Sequence, residues 1–375
     1  MKRRSFMQYL TGFAALLGVP SAGAAAQGFG GKMPTAAICA ATTGVESLKS
    51  RGRIEGTHII KVVGVGGAGR RAVNSMTSEK WEGVEFVCLD TDPQALARST
   101  ADSTQWISDE LCAEDYQVDD ETRDERMKLA DVLRGAHMVV IIAGVGGGTG
   151  TFASRNVAAV ARELGILTIA LVTKPTKSEG QRVALAERGL NELVKSVDAL
   201  IVEDNESLLY VLEDWGDPVS MGDLFEESDN ALRRRLGSIV EIVNGSRLCR
   251  VDFADVHAVF HASGKTVVGA CGPTVTCFDN DNTPRLSSAK SSAESAMYCV
   301  TDEGCQPTNS PGILVSIQGD ESLNIVEVDE VMKHIRAHSP PGAKLVFGVS
   351  PKPIMQDFFR VTVFATGFRA HDGAA

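Results

Sequence analysis

Between residues 58 and 202 short apolar runs alternate with stretches of helical periodicity. Met138-Val139-Val140-Ile141-Ile142-Ala143 has no polar interruption, the pattern of a strand covered on both faces in a parallel sheet. Residues 58–63, 84–89, 166–172 and 199–202 also read as core strands. Helices are predicted from a glycine-rich opening at 64–69 through Met76, and over 121–134 with Gly135 as a stop. Two more follow, one along Val157, Val160, Ala161 and Leu164 up to Gly165, the other over 180–194. Regular alternation of strand and helix points to a doubly wound parallel sheet. Residues 93–120 are polar and acidic without a strong period and read as a surface excursion.

A long helix is predicted over 223–243, with Leu232, Leu236, Ile239 and Val243 along one face and Asn244-Gly245 ending it. Beyond it lies a smaller α+β region. Its predicted elements are helices near 255–263, 287–299 and 326–337 and strands at 313–317, 344–349 and 359–366. The resulting division is a leader-like segment 1–26, a polar lead-in 27–56, a parallel-sheet domain 57–221, a central helix 222–247, a C-terminal domain 248–369 and a tail 370–375.

The 375 residues suffice for two domains with ample core, and 43% hydrophobic with 23% charged residues is ordinary for a globular chain. A net charge of −11 without a basic cluster argues against a nucleic-acid surface. An anionic ligand must then be held by local N–H groups. The N-terminus has its own pattern: Lys2-Arg3-Arg4, an apolar stretch from Phe6 to Val19, then Pro20 and small residues through Ala26. That order is a secretory leader pattern, and Arg3-Arg4-Ser5-Phe6 resembles a twin-arginine export signal. The competing reading is a disordered extension, or a start at Met33. No other segment is long and apolar enough to span a membrane. Eight cysteines contain no C-x-x-C pair, which gives zinc little support. Cys88 reads as a small core residue, and the four from Cys271 to Cys305 are able to pair if the chain is exported.

The chemistry lies in two glycine-rich turns. The strand at 138–143 runs into Gly144-Val145-Gly146-Gly147-Gly148-Thr149-Gly150-Thr151 and then into a helix. Backbone N–H groups of such a turn converge on an anion, and the helix N-terminus adds its dipole. Five glycines in seven positions leave no Cβ between backbone and phosphate. The bland alternative is a flexible loop. The earlier turn, Gly64-Val65-Gly66-Gly67-Ala68-Gly69, is followed about twenty residues on by Asp90, which alone is a dinucleotide fingerprint. A second phosphate cradle is more than a simple NAD site requires.

With these parts placed, the chain resembles the FtsZ family of bacterial cell-division GTPases, in the tubulin superfamily. The likeness covers about 58–368 and rests on parts in family order. They are the two turns, Asp90-Thr91-Asp92, Thr173-Lys174-Pro175 with Glu179-Gly180, Asn205, Phe225, the stretch Val251-Asp252-Phe253-Ala254-Asp255-Val256, and Val361-Thr362-Val363-Phe364-Ala365-Thr366-Gly367. The resemblance implies a tubulin/FtsZ-like fold: an α/β GTPase domain, a long central helix and a C-terminal α+β domain, assembling head to tail with itself. It implies GTP or GDP with Mg²⁺. Backbone groups of Gly66, Gly67, Ala68 and Gly69 and of Gly147, Gly148, Thr149, Gly150 and Thr151 would hold the phosphates, beside Gly146, and Arg70 and Arg71 would either add charge to the phosphates or block them. Glu179 and Arg182 would lie near ribose and phosphates, Asn205, Asp229 and Asn230 would read the guanine edge, and Phe225 would stack on the base. Asp252 and Asp255 would enter the next subunit's site and position the attacking water.

Plainer roles compete. Asp252 and Asp255 suit helix N-caps, Phe225 suits a helix core, and Glu179 with Arg182 suits a surface ion pair worth ~0.3 kcal/mol. The chain also departs from the family pattern. Phe152 replaces a last glycine, so its ring either crowds the phosphates or needs a φ it resists. Arg70 and Arg71 stand in place of Gly and Asn, Arg250 replaces Asn before the catalytic acids, and Asp229-Asn230 reverses the usual order. The helix after Glu179 is one residue short for Arg182, and acids replace a glycine-rich stretch in 108–120. The chain stops at Ala375 without the tail through which family members bind membrane tethers. Two further function classes follow: an inactive filament or interaction protein on the same fold, and, more remotely, an NAD-dependent oxidoreductase.

Overall fold

The computed structural model describes residues 57–114, 116, 120–213, 219–245, 251–261, 263–270, 274–275, 284–302, 305–319, 323–351 and 358–368. The leader, the lead-in, Arg250, Cys271 and Cys277 and the tail lie outside the described residues. The strands are β1 (Ile60–Val65), β2 (Val84–Asp90), β3 (Ser103–Trp106), β4 (Met138–Gly144), β5 (Leu167–Lys174), β6 (Ala199–Asp204), β7 (Gly264–Ala270), β8 (Thr274–Val275), β9 (Gly312–Gly319), β10 (Lys344–Pro351) and β11 (Phe358–Phe368). The helices of eight or more residues are α1 (Gly66–Met76), α2 (Asp120–Leu133), α3 (Ser154–Glu163), α4 (Gln181–Ser196), α5 (Asn205–Glu213), α6 (Met221–Asn244), α7 (Phe253–Phe260), α8 (Pro284–Asp302) and α9 (Ile325–Ala337), and a single helical turn, Pro93–Leu96, follows β2.

One sheet runs in the order β10-β9-β11-β7-β6-β5-β4-β1-β2-β3, with β8 beside β11. From β3 to β6 every pair is parallel. Two-sided burial explains the unbroken apolar runs. On β4, Met138, Val140 and Ile142 enter one core with Leu232, Leu236, Ile239 and Val243 of α6, while Val139, Ile141 and Ala143 enter another with Val157, Val160 and Ala161 of α3. The first of these cores continues to Phe260, Leu314, Val346 and Phe364, so α6 serves both halves of the sheet. A parallel contact of two residue pairs, Ala199 with Gly264 and Leu200 with Lys265, links β6 to β7. Beyond it β11 runs antiparallel to both β7 and β9, over a third core that includes Val315, Val331 and Val363.

Several elements differ from the sequence reading. The excursion at 93–120 contains β3, an edge strand with little burial and so no apolar signature. Helix α5 follows β6 directly, and β7 fills a segment read as connection. Among the described residues no helix is long and apolar enough to cross a membrane.

Helix α6 sets the ends of the molecule. It starts beside β6's carboxyl end, and its last residue, Asn244, accepts from the His58 N–H at 2.9 Å and donates to His58 O at 2.7 Å and Glu82 O at 2.9 Å. His58 and Glu82 precede β1 and β2, so α6 runs from the carboxyl to the amino end of the strands, a span of roughly 36 Å for its 24 residues.

Candidate nucleotide site

The strand order changes direction between β1 and β4, the switch point where open α/β sheets hold ligands. Both glycine-rich turns leave the carboxyl ends of these two neighbours. They touch: a Cβ on Gly66 would lie 3.1 Å from Gly150 N and 3.2 Å from Thr149 Cβ.

The glycines divide into two kinds. A Cβ on Gly69 would sit 2.2 Å from Ile142 O, and one on Gly150 2.4 Å from Gly144 O. These positions pack backbone on backbone. A Cβ on Gly67 or Gly148 would meet nothing within 4 Å, and both residues are exposed. The expectation that every glycine in the second turn clears space for phosphate is therefore too broad; Gly150 clears space for Gly144. Gly146, at φ 97°, donates its N–H to Thr151 Oγ1 at 2.8 Å, and Thr151 N–H donates to Gly147 O at 3.1 Å. Gly146 and Thr151 thus hold the shape of the turn. Amides available to a ligand remain around Gly147, Gly148 and Thr149, and at the N-terminus of α1 over Gly66, Gly67 and Ala68, where intrahelical partners are lacking; the Gly69 N–H already closes the first helical turn.

A π-helical turn, Thr149–Ala153, carries the chain into α3. Phe152 lies within it. Lys80 is the non-glycine with positive φ among the described residues, so Phe152 takes an ordinary backbone conformation and the expected strain is absent. Gly189, inside α4, lets that helix approach: a Cβ there would lie 2.1 Å from Thr151 Cγ2. Sequence reasoning passed over it, although a glycine inside a helix costs about 1 kcal/mol against alanine and so signals a packing need. Cys112 also packs by the second turn. Burial pushes its thiol up to about 11, against the opposing pull of a hydrogen bond with Thr149.

Side chains form the flank. Arg182 Nη1 pairs with Glu179 Oε2 at 2.5 Å, and its Nε donates to Gly146 O at 3.4 Å. Arg182 thus rests on the second turn. Glu179 also closes a capping box, accepting from Thr176 N–H at 3.1 Å. Arg70 Nε lies 3.7 Å from Asp90 Oδ2, so the acid of the dinucleotide fingerprint faces a cation. Arg71 forks onto Asp229, Nε to Oδ2 at 2.9 Å and Nη2 to Oδ1 at 3.1 Å, and its Cζ stands 4.6 Å from the Phe225 ring centre. Phe225 and Asp229 are four apart on α6 and share a face. Asn205, buried at the start of α5, accepts from Ser228 Oγ at 3.0 Å. Asn230 turns elsewhere: its Oδ1 accepts from Arg233 at 2.8 Å and its Nδ2 donates to Glu227 at 3.4 Å. The reversed dipeptide therefore aims the acid, not the amide, at Phe225 and Arg71.

Asp252 and Asp255 are not brought to the turns. Asp252 caps α7, accepting from Ala254 N–H at 3.1 Å, and Asp255 pairs with Lys344 Nζ at 3.0 Å. The intervening Phe253 stacks on His58 at 4.6 Å, at the amino end of β1. Both acids thus lie at the far end of the sheet from the glycine turns. Among the described residues no group of three or more His, Cys, Asp or Glu side chains is disposed to hold a metal ion.

The family model for the tubulin/FtsZ GTPase domain matches residues 59–213, and that for the FtsZ C-terminal domain matches 283–369. The cell division protein FtsZ of Coxiella burnetii is 37% identical over 321 residues, which cover 84% of this chain and 80% of that protein. FtsZ of Buchnera aphidicola subsp. Acyrthosiphon pisum is 38% identical over 316 residues, 82% of this chain and 79% of the relative. Among solved structures, an FtsZ dimer from M. jannaschii superposes with a TM-score of 0.72 at 27% identity, over 85% of this chain and 90% of that one. CetZ1 from Haloferax volcanii, a GDP-bound monomer, shares the fold with a TM-score of 0.66 at 19% identity, over 83% of this chain and 94% of that one.

Proposed function

Because the chain belongs to the FtsZ family, we propose that it is a GTP-binding protein of the cell-division type that self-associates head to tail and hydrolyses GTP between subunits. The observation that carries this reading is the separation of parts along α6. The glycine turns and candidate base residues lie at one end of the sheet, and Asp252 and Asp255 lie at the other. One chain cannot bring them together; a head-to-tail contact joins one end to the next. Such a contact is heterologous and builds filaments.

In this reading the amides of Gly66, Gly67 and Ala68 and of Gly147, Gly148 and Thr149 hold the phosphates, with Gly69 letting the first turn pack close. Mg²⁺ would neutralise phosphate charge and rest mainly on phosphate and water oxygens, in keeping with the lack of a carboxylate cluster among the described residues. Phe225 stacks on the base, and Asn205 and Asp229 read its edge. Arg182, held by Glu179, adds a positive charge beside the second turn. Asp252 and Asp255 of the following subunit orient water for in-line attack, a task suited to carboxylates as hydrogen-bond acceptors. The NAD reading falls with the family assignment and with Asp90 turned to Arg70.

Turnover per subunit should rise with protein concentration; a constant rate would sink the shared-site reading. Asp252→Ala should leave GTP binding intact and cut phosphate release by about a hundredfold. A second reading, binding without turnover, is favoured by the ion pair between Asp255 and Lys344, which occupies one of the two acids. Stoichiometric bound nucleotide with no phosphate release would select it. A GTP-dependent role places the protein in the cytoplasm, where GTP is made. Equal recovery there of the full chain and an Arg3→Lys, Arg4→Lys variant would set the twin-arginine reading aside.

A further inference from the structure

Arg71 lies between the phosphate turns and the base residues. Its guanidinium engages both oxygens of Asp229, at 2.9 and 3.1 Å, and covers the Phe225 ring at 4.6 Å. The Asp229 side chain is 10% exposed and that of Arg71 41%, so the carboxylate is deep and its cation is at the mouth. A carboxylate reads guanine by accepting from N1–H and the 2-amino group together. The arginine fork presents the same two-point donor pattern to the same two oxygens.

We propose that Arg71 is a specificity-determining residue that competes with guanine for Asp229 and for the ring of Phe225, lowering the site's preference for guanine over adenine. The inference rests on the GTP-binding reading above. Adenine carries no donor at positions 1 and 2 and gains nothing from Asp229, so the fork costs it nothing there, while the cover on the Phe225 ring costs both bases alike. Removing the fork therefore helps guanine selectively. Lysine at this position keeps the charge but has neither the planar fork nor the flat face for stacking.

The test is equilibrium binding of GTP, ITP and ATP, each with Mg²⁺, to the full-length protein and its Arg71→Asn and Arg71→Lys variants. Folding is checked by circular dichroism. Arg71→Asn is expected to raise the GTP-to-ATP affinity ratio by about tenfold, the scale of one charged hydrogen-bond contact. ITP, which keeps N1–H but lacks the 2-amino group, should fall between, and Arg71→Lys should give a smaller gain. An unchanged ratio in the folded Asn variant overturns the inference and leaves GTP binding standing. If that variant does not fold, the Lys variant decides in the same way. Failure of every folded form to bind any of the three nucleotides overturns the GTP reading, and the inference with it.

Discussion

At the carboxyl ends of β1 and β4 the candidate ligand groups are main-chain amides, whereas on α1 and α6 they are the side chains of Arg71, Phe225 and Asp229. The first set is positioned by glycines that admit backbone at 2.2 to 2.4 Å from a would-be Cβ, and any side chain there moves the whole turn. The second is positioned by rotamers, which single substitutions can retune without disturbing the path of the chain. The candidate phosphate end is thus rigid and shared with packing, and the candidate base end is adjustable. Divergence in this chain touches both: Arg71 and the reversed Asp229-Asn230 alter the candidate base end, and Arg70 and Phe152 the glycine turns.

The comparison breaks most sharply at Gly150. Gly150→Ala drives a methyl group against Gly144 O, which as backbone cannot swing aside, and should lower stability by about 3 kcal/mol in denaturant unfolding. A neutral result would mean that the turns are not close-packed. At the base end, Phe225→Ala should weaken GTP by about tenfold, the scale of lost base stacking, with a much smaller change in the unfolding midpoint. A loss of stability without loss of affinity would make Phe225 a core residue after all. Gly148→Ala sharpens the distinction within the turns. Gly148 sits at φ −59° with open space around it, so alanine should be neutral or stabilise by about 0.5 kcal/mol while GTP affinity falls. Unchanged affinity would remove Gly148 from the phosphate contacts.

The smallest effect concerns Cys112 beside the second turn. Its thiol is raised from an ordinary 9.0 to about 11, mainly by burial. The stability this burial supports is complete below pH 9.0 and is lost as pH rises through about 11, because only the unfolded chain ionises in between. Alkylation by iodoacetamide should accordingly stay slow at pH 8, since the thiolate is the reactive form. A rate midpoint at or below 9 would show that this side of the turn is open.

Much of the framework was legible because it obeys local rules. Met138 to Ala143 could only be a strand wetted on neither face, and Leu232, Leu236, Ile239 and Val243 could only be one stripe of a long helix. Glycine-rich corners after such strands announced an anion site, and the order of motifs announced the family. Segments without a two-sided core carried no comparable signal. Strand β3 has one neighbour and little burial, and β7 is made by pairing with β11 some ninety residues away. Strand pairing over that distance leaves no trace in a short window.

By itself, then, the chain determined the alternating strands and helices, the two turns and the candidate residues, since periodicity and backbone freedom are properties of neighbouring positions. Tertiary structure alone decided which glycines face open space and which face backbone, that Asp229 rather than Asn230 meets Arg71, and that Asp252 and Asp255 stand a helix length from the turns. Those outcomes depend on contacts between remote segments, where packing geometry, not local propensity, selects among options the sequence leaves equal.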